Sequence, residues 1–250
     1  MSPYKIGDLF NCSFATVTNR LKEHSIPFKN QSLARIKYEK KDFFGNKVEK
    51  AYMIGFRIGD LNVYKTSENS EVVIARCHTT TQEQIKVIEE LFGSYGKITA
   101  SLSKSSSYHI NCYLNKSFDF LLDKSHPFIL IKSIDEIFAF IAGYFDAEGY
   151  LGLNQNRARV KIDSYDTEVL CWINKRLSES GINSILKIIS VCKTKRSRGK
   201  KLWRLNVNNM DDVAKFIYEV EKYCKHPRKL AQIETAKKNI IMRKNRKSHL

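Results

Sequence analysis

Two carboxylates, Asp60 and Glu148, each stand at the end of an apolar run with helical character. The first run reads Ala51-Tyr-Met-Ile-Gly-Phe-Arg-Ile-Gly-Asp60, the second Phe138-Ala-Phe-Ile-Ala-Gly-Tyr-Phe-Asp-Ala-Glu148. Each carries two small residues four positions apart just before the acid: Gly55 and Gly59 in the first, Gly143 and Ala147 in the second. Small residues at that spacing form a flat strip on one helix face, on which a second backbone can approach closely. If the two runs pack on these strips, Asp60 and Glu148 end side by side. Paired carboxylates suit a divalent cation that prefers oxygen ligands. Either acid alone reads as an ordinary solvated helix end. Their matching places in a repeat favour the metal role. Asp146 reads instead as a helix-end hydrogen-bonding residue, because its counterpart is Ile58, which cannot bind metal.

The surrounding elements repeat as well. After Asp60 come a strand-like stretch, 71–77, and a helix opening on a capping-box pattern, Thr80-Thr-Gln-Glu83. That helix runs through Ile85, Ile88, Leu91 and Phe92 at helical spacing and stops near Gly93 and Gly96. After Glu148 come a strand over 158–163 and a helix from Asp166 through Val169, Leu170, Ile173 and Leu177, stopping at Gly181. Each half offers two more strands, 97–103 and 107–114 in the first, 182–192 and 202–207 in the second. A short helix and a His-Pro pair follow, His126-Pro127 and His226-Pro227. The expected fold is α+β: two pseudo-symmetric αββαββα halves, 48–132 and 133–240, with the motif helices at their interface. Since both halves lie on one chain, a monomer is expected rather than a homodimer. Residues 1–27 read as a helix-turn-helix-like segment, with Ser13 as a cap and Phe14, Val17 and Leu21 on one helix face. Thr16, Thr18, Asn19, Arg20 and Lys22 would then face DNA; the plainer alternative is an amphipathic pair packed on the main body. Residues 28–47 read as a basic linker and 241–250 as a basic tail.

The net charge of +17 points to a polyanion, nucleic acid first and an anionic membrane surface second. No apolar run approaches a membrane span, and the N-terminus has no signal-peptide core. The six cysteines are scattered without a CxxC pair, which disfavours zinc and suits an intracellular protein with reduced thiols. An intracellular location, cytoplasmic or nucleoid, is the expectation.

The segment Ile141-Ala-Gly-Tyr-Phe-Asp-Ala-Glu-Gly149 resembles the nine-residue motif of the LAGLIDADG homing endonucleases. Met53-Ile-Gly-Phe-Arg-Ile-Gly-Asp-Leu61 is a degenerate copy that departs at Ile58 and Leu61. The departure at Leu61 bears on the turn after the first helix. The resemblance covers roughly residues 48–240 and is to the single-chain, two-motif type. It implies a curved antiparallel saddle that holds double-stranded DNA, with Asp60 and Glu148 binding metal, the Gly59 and Ala147 carbonyls as further ligands, and each acid acting on one strand. Mg2+ suits that task, with Mn2+ able to substitute and Ca2+ able to bind without supporting cleavage. A basic residue beside the metal would stabilise the transition state, and Lys229 is the candidate. In the first half the matching position is Ile129, with Lys124 or Lys132 as substitutes. His126, His226 and His78 read as turn and strand-end residues.

Strand alternation marks the DNA-reading surface. Arg157, Arg159 and Lys161 point opposite to Ala158, Val160 and Ile162; Arg204, Asn206 and Asn208 alternate with Trp203, Leu205 and Val207. Asn154, Gln155 and Asn156 are amides of the type that read adenine edges. Lys187, Lys193, Lys195, Arg196, Arg198, Lys200, Lys201 and Arg204 fall in a hairpin-like stretch without an acid. Lys65, Lys104 and Tyr108 are the first-half equivalents. The function expected is a site-specific, metal-dependent double-strand DNA endonuclease, of the kind carried by mobile genetic elements. The alternatives are a DNA-binding regulator of the same fold without cleavage, and an RNA maturase.

Overall fold

A computed structural model describes residues 3–27, 38–103, 106–123, 127–192 and 199–248. The chain begins with two short helices, α1 (Pro3–Leu9) and α2 (Phe14–Glu23). Asn11 turns the chain between them with a positive φ, and the Ser13 side chain accepts from the Thr16 amide to cap α2. Val17 is buried beneath the pair, whereas Leu9 and Phe10 stay exposed. Thr18, expected to face outward, is instead buried, and its hydroxyl donates to the Phe14 and Ala15 carbonyls.

The first half opens with α3 (Lys47–Asp60), which starts at a closed capping box: Asn46 accepts from Glu49 N while the Glu49 carboxylate accepts from Asn46 N. Strand β1 (Asn62–Tyr64), β2 (Val73–Thr79), helix α4 (Gln82–Phe92), β3 (Lys97–Leu102) and β4 (Tyr108–Leu114) follow. The strands form one antiparallel sheet, ordered β1-β2-β4-β3. Two details differ from expectation. The cap of α4 is Thr81, whose side chain makes no capping bond, so the box at Thr80–Glu83 does not close. The half ends in two 3-10 turns, Lys116–Leu121 and Pro127–Leu130, rather than an α-helix; Asn115 accepts from Ser117 N at the start of the first.

The second half repeats the order with α5 (Ile134–Glu148), β5 (Gly149–Asn154), β6 (Arg157–Ser164), α6 (Thr167–Glu179), β7 (Ile185–Val191), β8 (Lys201–Val207) and α7 (Met210–Val220). Its sheet is antiparallel and ordered β5-β6-β8-β7. A long last helix, α8 (Pro227–Ser248), has no counterpart in the described part of the first half, and residues 241–248 are its final turns.

Helices α3 and α5 pack against each other at the centre, on the small-residue strip. A methyl group placed on Gly55 would overlap the Phe140 carbonyl, and one on Gly143 the Tyr52 carbonyl; one on Gly59 would overlap the Ala147 side chain. The backbones therefore touch, which only glycine permits at the two crossing points. Both helices are buried on nearly every face, from Ala51 to Arg57 and from Phe138 to Asp146, because partner helix and sheets enclose them. The residues after the acids need no special backbone. Leu61 and Gly149 are both extended (φ −109° and −79°), so each helix runs straight into a strand. Leu61 fits because it is buried in the core, and Gly149 is needed because a Cβ there would strike the Phe145 ring.

Candidate metal centre and nucleic-acid face

The packing of α3 on α5 brings their C-terminal ends together, and with them Asp60 and Glu148. The Cγ of Glu148 lies 3.0 Å from where a Cβ on Gly59 would sit. Burial raises the pKa of Asp60, opposed by the Gln84 hydrogen bond and the charge of Lys229. Glu148 is pushed up to about 7, first by the packed helix ends that exclude water, then by the charge of Asp60. Gln84 Nε2 donates to Asp60 Oδ2 at 2.7 Å, which fixes that carboxylate. Both acids also sit at helix C-termini, where the peptide dipoles add negative potential. Two repelling carboxylates at two negative helix ends are an incomplete charge set that a divalent cation completes, so the donor set fits such an ion. Among the described residues no group of three or more His, Cys, Asp or Glu could hold a metal ion. Mg2+ suits so sparse a set, because it keeps waters and takes phosphate oxygens. In the last turn of each helix the Gly59 and Ala147 carbonyls lie past the final intrahelical donors, since Leu61 N reaches Arg57 O and Gly149 N reaches Phe145 O.

Lys229, in the first turn of α8, joins this centre. Its ammonium donates to the Gly149 carbonyl and lies 5.5 Å from the centroid of the Phe145 ring. Burial lowers its pKa, while the charges of Asp146 and Asp60 oppose that shift. With Asp60, His78, Gln84, His226 and Arg228 it lines a cavity of about 210 Å3 beside the first motif acid. His226 acts as the turn residue expected: its carbonyl accepts from Lys229 N and Leu230 N, and its Nδ1 from Arg228 N. Asp146 does not cap its own helix. It is buried, and its Oδ2 accepts from Tyr52 Oη (2.7 Å), Lys225 N (2.7 Å) and His226 N (3.0 Å), pinning the approach to α8 against α3. Ile58 needs no such role, because the described first half has no α8. His78 is more than a strand end: it faces the Asp60 cavity, and its ring meets His109 edge-on at 4.2 Å across β2 and β4. Ile129 and Lys132 are exposed; Lys124 and His126 lie outside the described residues.

The sheet faces opposite the helices carry the remaining candidates, in several different settings. In β6, Ala158, Val160 and Ile162 are buried in the core while Arg157, Arg159 and Lys161 face the other way, as alternation requires. Asn206 shares that face but is buried between Lys161 and Ile185 on the flanking strands. Arg204 is held in a two-point ion pair by Asp163, at 2.6 and 2.5 Å. Lys65 is paired with Asp119 at 2.7 Å. Tyr108 has the parity of Ile110 and Cys112, so it packs against the core rather than on the open face. Gln155 and Asn156 both adopt positive φ, the two-residue hairpin turn in which amides replace glycine. Asn154 ends β5 before that turn, and Asn239 of α8 donates to the Asn156 carbonyl and side chain. Lys187 is exposed on β7, and Lys200, Lys201 and Asn208 are exposed as well. Lys104, Lys193, Lys195, Arg196 and Arg198 lie outside the described residues. Composition drew attention to the second half and missed Arg76, Asn111 and His109 in the first. The alternation of 73–79 was the available signal.

Residues 135–221 match the family described as a LAGLIDADG-like domain. Over 197 residues the chain is 22% identical to the uncharacterized protein MJ0398 of Methanocaldococcus jannaschii, covering 74% of this chain and 70% of that one. A stretch of 162 residues, 62% of this chain, is 30% identical to part of the probable translation initiation factor IF-2 of the same organism, of which it spans 13%. The homing endonuclease I-DmoI, solved in complex with DNA and Mn, has the same fold. Its TM-score is 0.52 at 19% identity, over 72% of this chain and 98% of that one. Full-length DUF199/WhiA from Thermatoga maritima aligns with a TM-score of 0.51 at 15% identity, over 81% of this chain and 63% of that one. The family match lies wholly within the second half, and the first half repeats its element order. No helix among the described residues is long and apolar enough to cross a membrane.

Proposed function

We propose that this chain, which carries a LAGLIDADG-like domain and shares its two-motif fold with I-DmoI, is a site-specific, metal-dependent double-strand DNA endonuclease. One observation carries the reading: backbone contact at Gly55 and Gly143 forces Asp60 and Glu148 together beside Lys229, in a chain of net charge +17. Asp60 and Glu148 would hold Mg2+ or Mn2+, with carbonyl oxygens of Gly59 and Ala147 as further donors. The bound ion supplies charge neutralisation at the phosphate and a water of lowered pKa. Gln84 orients Asp60 and leaves its Oδ1 open. Lys229, tethered to Gly149 and set against Phe145, stabilises the negative charge that builds on the phosphate oxygens. Asp146 holds the backbone of 225–226 and so aims Lys229. The two sheets contact the duplex on either side, as both halves present cations away from the core. The N-terminal helix pair supports a second reading, a regulator that binds DNA without cutting.

The test is cleavage of a randomised duplex library with Mg2+ or Mn2+, beside an Asp60→Asn/Glu148→Gln control. The expected outcome is one long site cut by the intact chain and only bound by the control. Selective binding without cutting in either metal would replace the enzyme with the regulator.

A further inference from the structure

We infer that Arg76 reads a guanine in the half-site bound by the first sheet, an inference that rests on the DNA-binding reading above. Arg76 is the middle residue of β2, and β2 and β4 are the two inner strands of their sheet. Strand alternation buries Ala75 and Cys77 in the core and turns Arg76 to the open face. Directly across β4 stands Asn111, whose Oδ1 accepts from Arg76 Nε at 2.9 Å. The guanidinium carbon lies 5.3 Å from the centroid of the Tyr64 ring. An amide and a ring thus fix the plane of the guanidinium, and neither neutralises its charge. Its two terminal nitrogens take no hydrogen bond or ion pair among the described residues.

Arg204 shows the opposite arrangement. It sits on the other sheet with its Nε and Nη2 both taken by the Asp163 carboxylate. The open face around Arg76 presents Asn111, His78, His109 and Lys97 and no carboxylate from its strands. The pseudo-symmetry sharpens the contrast. Arg76 pairs with Asn62, two residues after Asp60, and Lys161 pairs with Tyr150, two residues after Glu148. Across the next strand Arg76 meets Asn111 and Lys161 meets Asn206. The same cation-amide register therefore holds a planar fork in one half and a point charge in the other. A free, oriented fork matches the paired N7 and O6 acceptors of guanine in the major groove, which an ammonium cannot match as well. Its place at the centre of the sheet faces the floor of a groove laid along that face, whereas phosphates run toward the edges.

The test is binding selection from a randomised duplex library with the full chain in Ca2+, repeated with Arg76→Lys, Arg76→Gln and Asn111→Ala, all checked for folding by thermal melting. The intact chain is expected to select a site with one guanine that Arg76→Lys no longer prefers, a loss of about tenfold or more in discrimination at that position alone. Asn111→Ala should weaken the same preference and no other. Retention of an identical site, with affinity reduced evenly and a salt slope lowered by about one in Arg76→Gln, would make Arg76 a phosphate contact and overturn the inference. Absence of any selected site for the intact chain would overturn the DNA-reading function and this inference together.

Discussion

Glycine and carboxylate chemistry decide this centre at the scale of single residues. Replacing a helix glycine by alanine ordinarily stabilises by about 1 kcal/mol. At Gly55 and Gly143 the sign should reverse, because the added methyl meets a partner-helix carbonyl. Gly55→Ala and Gly143→Ala are each expected to cost about 2 kcal/mol or more in urea unfolding. Neutral or stabilising values would mean that the helices do not touch there. Glu148 yields a pH prediction. Its folded pKa, about 7, stands above the ordinary value of 4.5, so the folded chain holds that proton more tightly than the unfolded chain. This group's contribution is present at acid pH and is lost as pH rises through about 7. Mg2+ needs the ionised form, so the gain in Tm on adding Mg2+ should be larger at about pH 8 than at about pH 5.5. Glu148→Gln should flatten that difference; an unchanged pH dependence in the variant would remove Glu148 from the proposed metal centre.

Helix α8 matters as an element because its polar side chains finish backbone groups of the edge strand β5 and of the hairpin that joins it to β6. Gln232 accepts from Leu151 N, Lys229 donates to the Gly149 carbonyl, and Asn239 accepts from Ala158 N while donating to Asn156. Without α8 these groups would be left to solvent, and the edge of β5 to another chain. Asn239 is buried, so Asn239→Ala should leave partners unsatisfied and cost about 1–3 kcal/mol. The Ala158 amide should then exchange faster in hydrogen-deuterium exchange, with helix α6 unaffected. Equal protection in the variant would show that the hairpin stands without the clamp.

Among the described residues the two halves share one fused core around the central helix pair, and the cations are spread over both halves. Binding through such a surface releases condensed counterions. For about six phosphate contacts the slope of log K against log salt should be roughly −5. A slope near zero would show that the positive charge does not meet the duplex backbone. The halves are not interchangeable: the second carries the Asp163–Arg204 ion pair where the first carries the His78–His109 ring pair. Each half therefore presents a different chemical face, and the target expected is one whose two sides differ in sequence.

By itself the sequence determined the repeat, the motif helices and the meeting of Asp60 with Glu148. Those follow from local periodicity and from the steric permission that small residues give, both legible along one chain. The apolar side of β6 was legible for the same reason, since alternation is a property of one strand. Tertiary structure alone decided which polar residues remain free. Arg204 and Lys65 look like Arg76 in sequence, yet Asp163 and Asp119 occupy the first two and an amide leaves the third open. Asp146 and Asn239 likewise acquired their roles from backbone groups some eighty residues away. A side chain's pairing depends on what the fold brings opposite it, and that information is carried by register and packing rather than by neighbours in the chain.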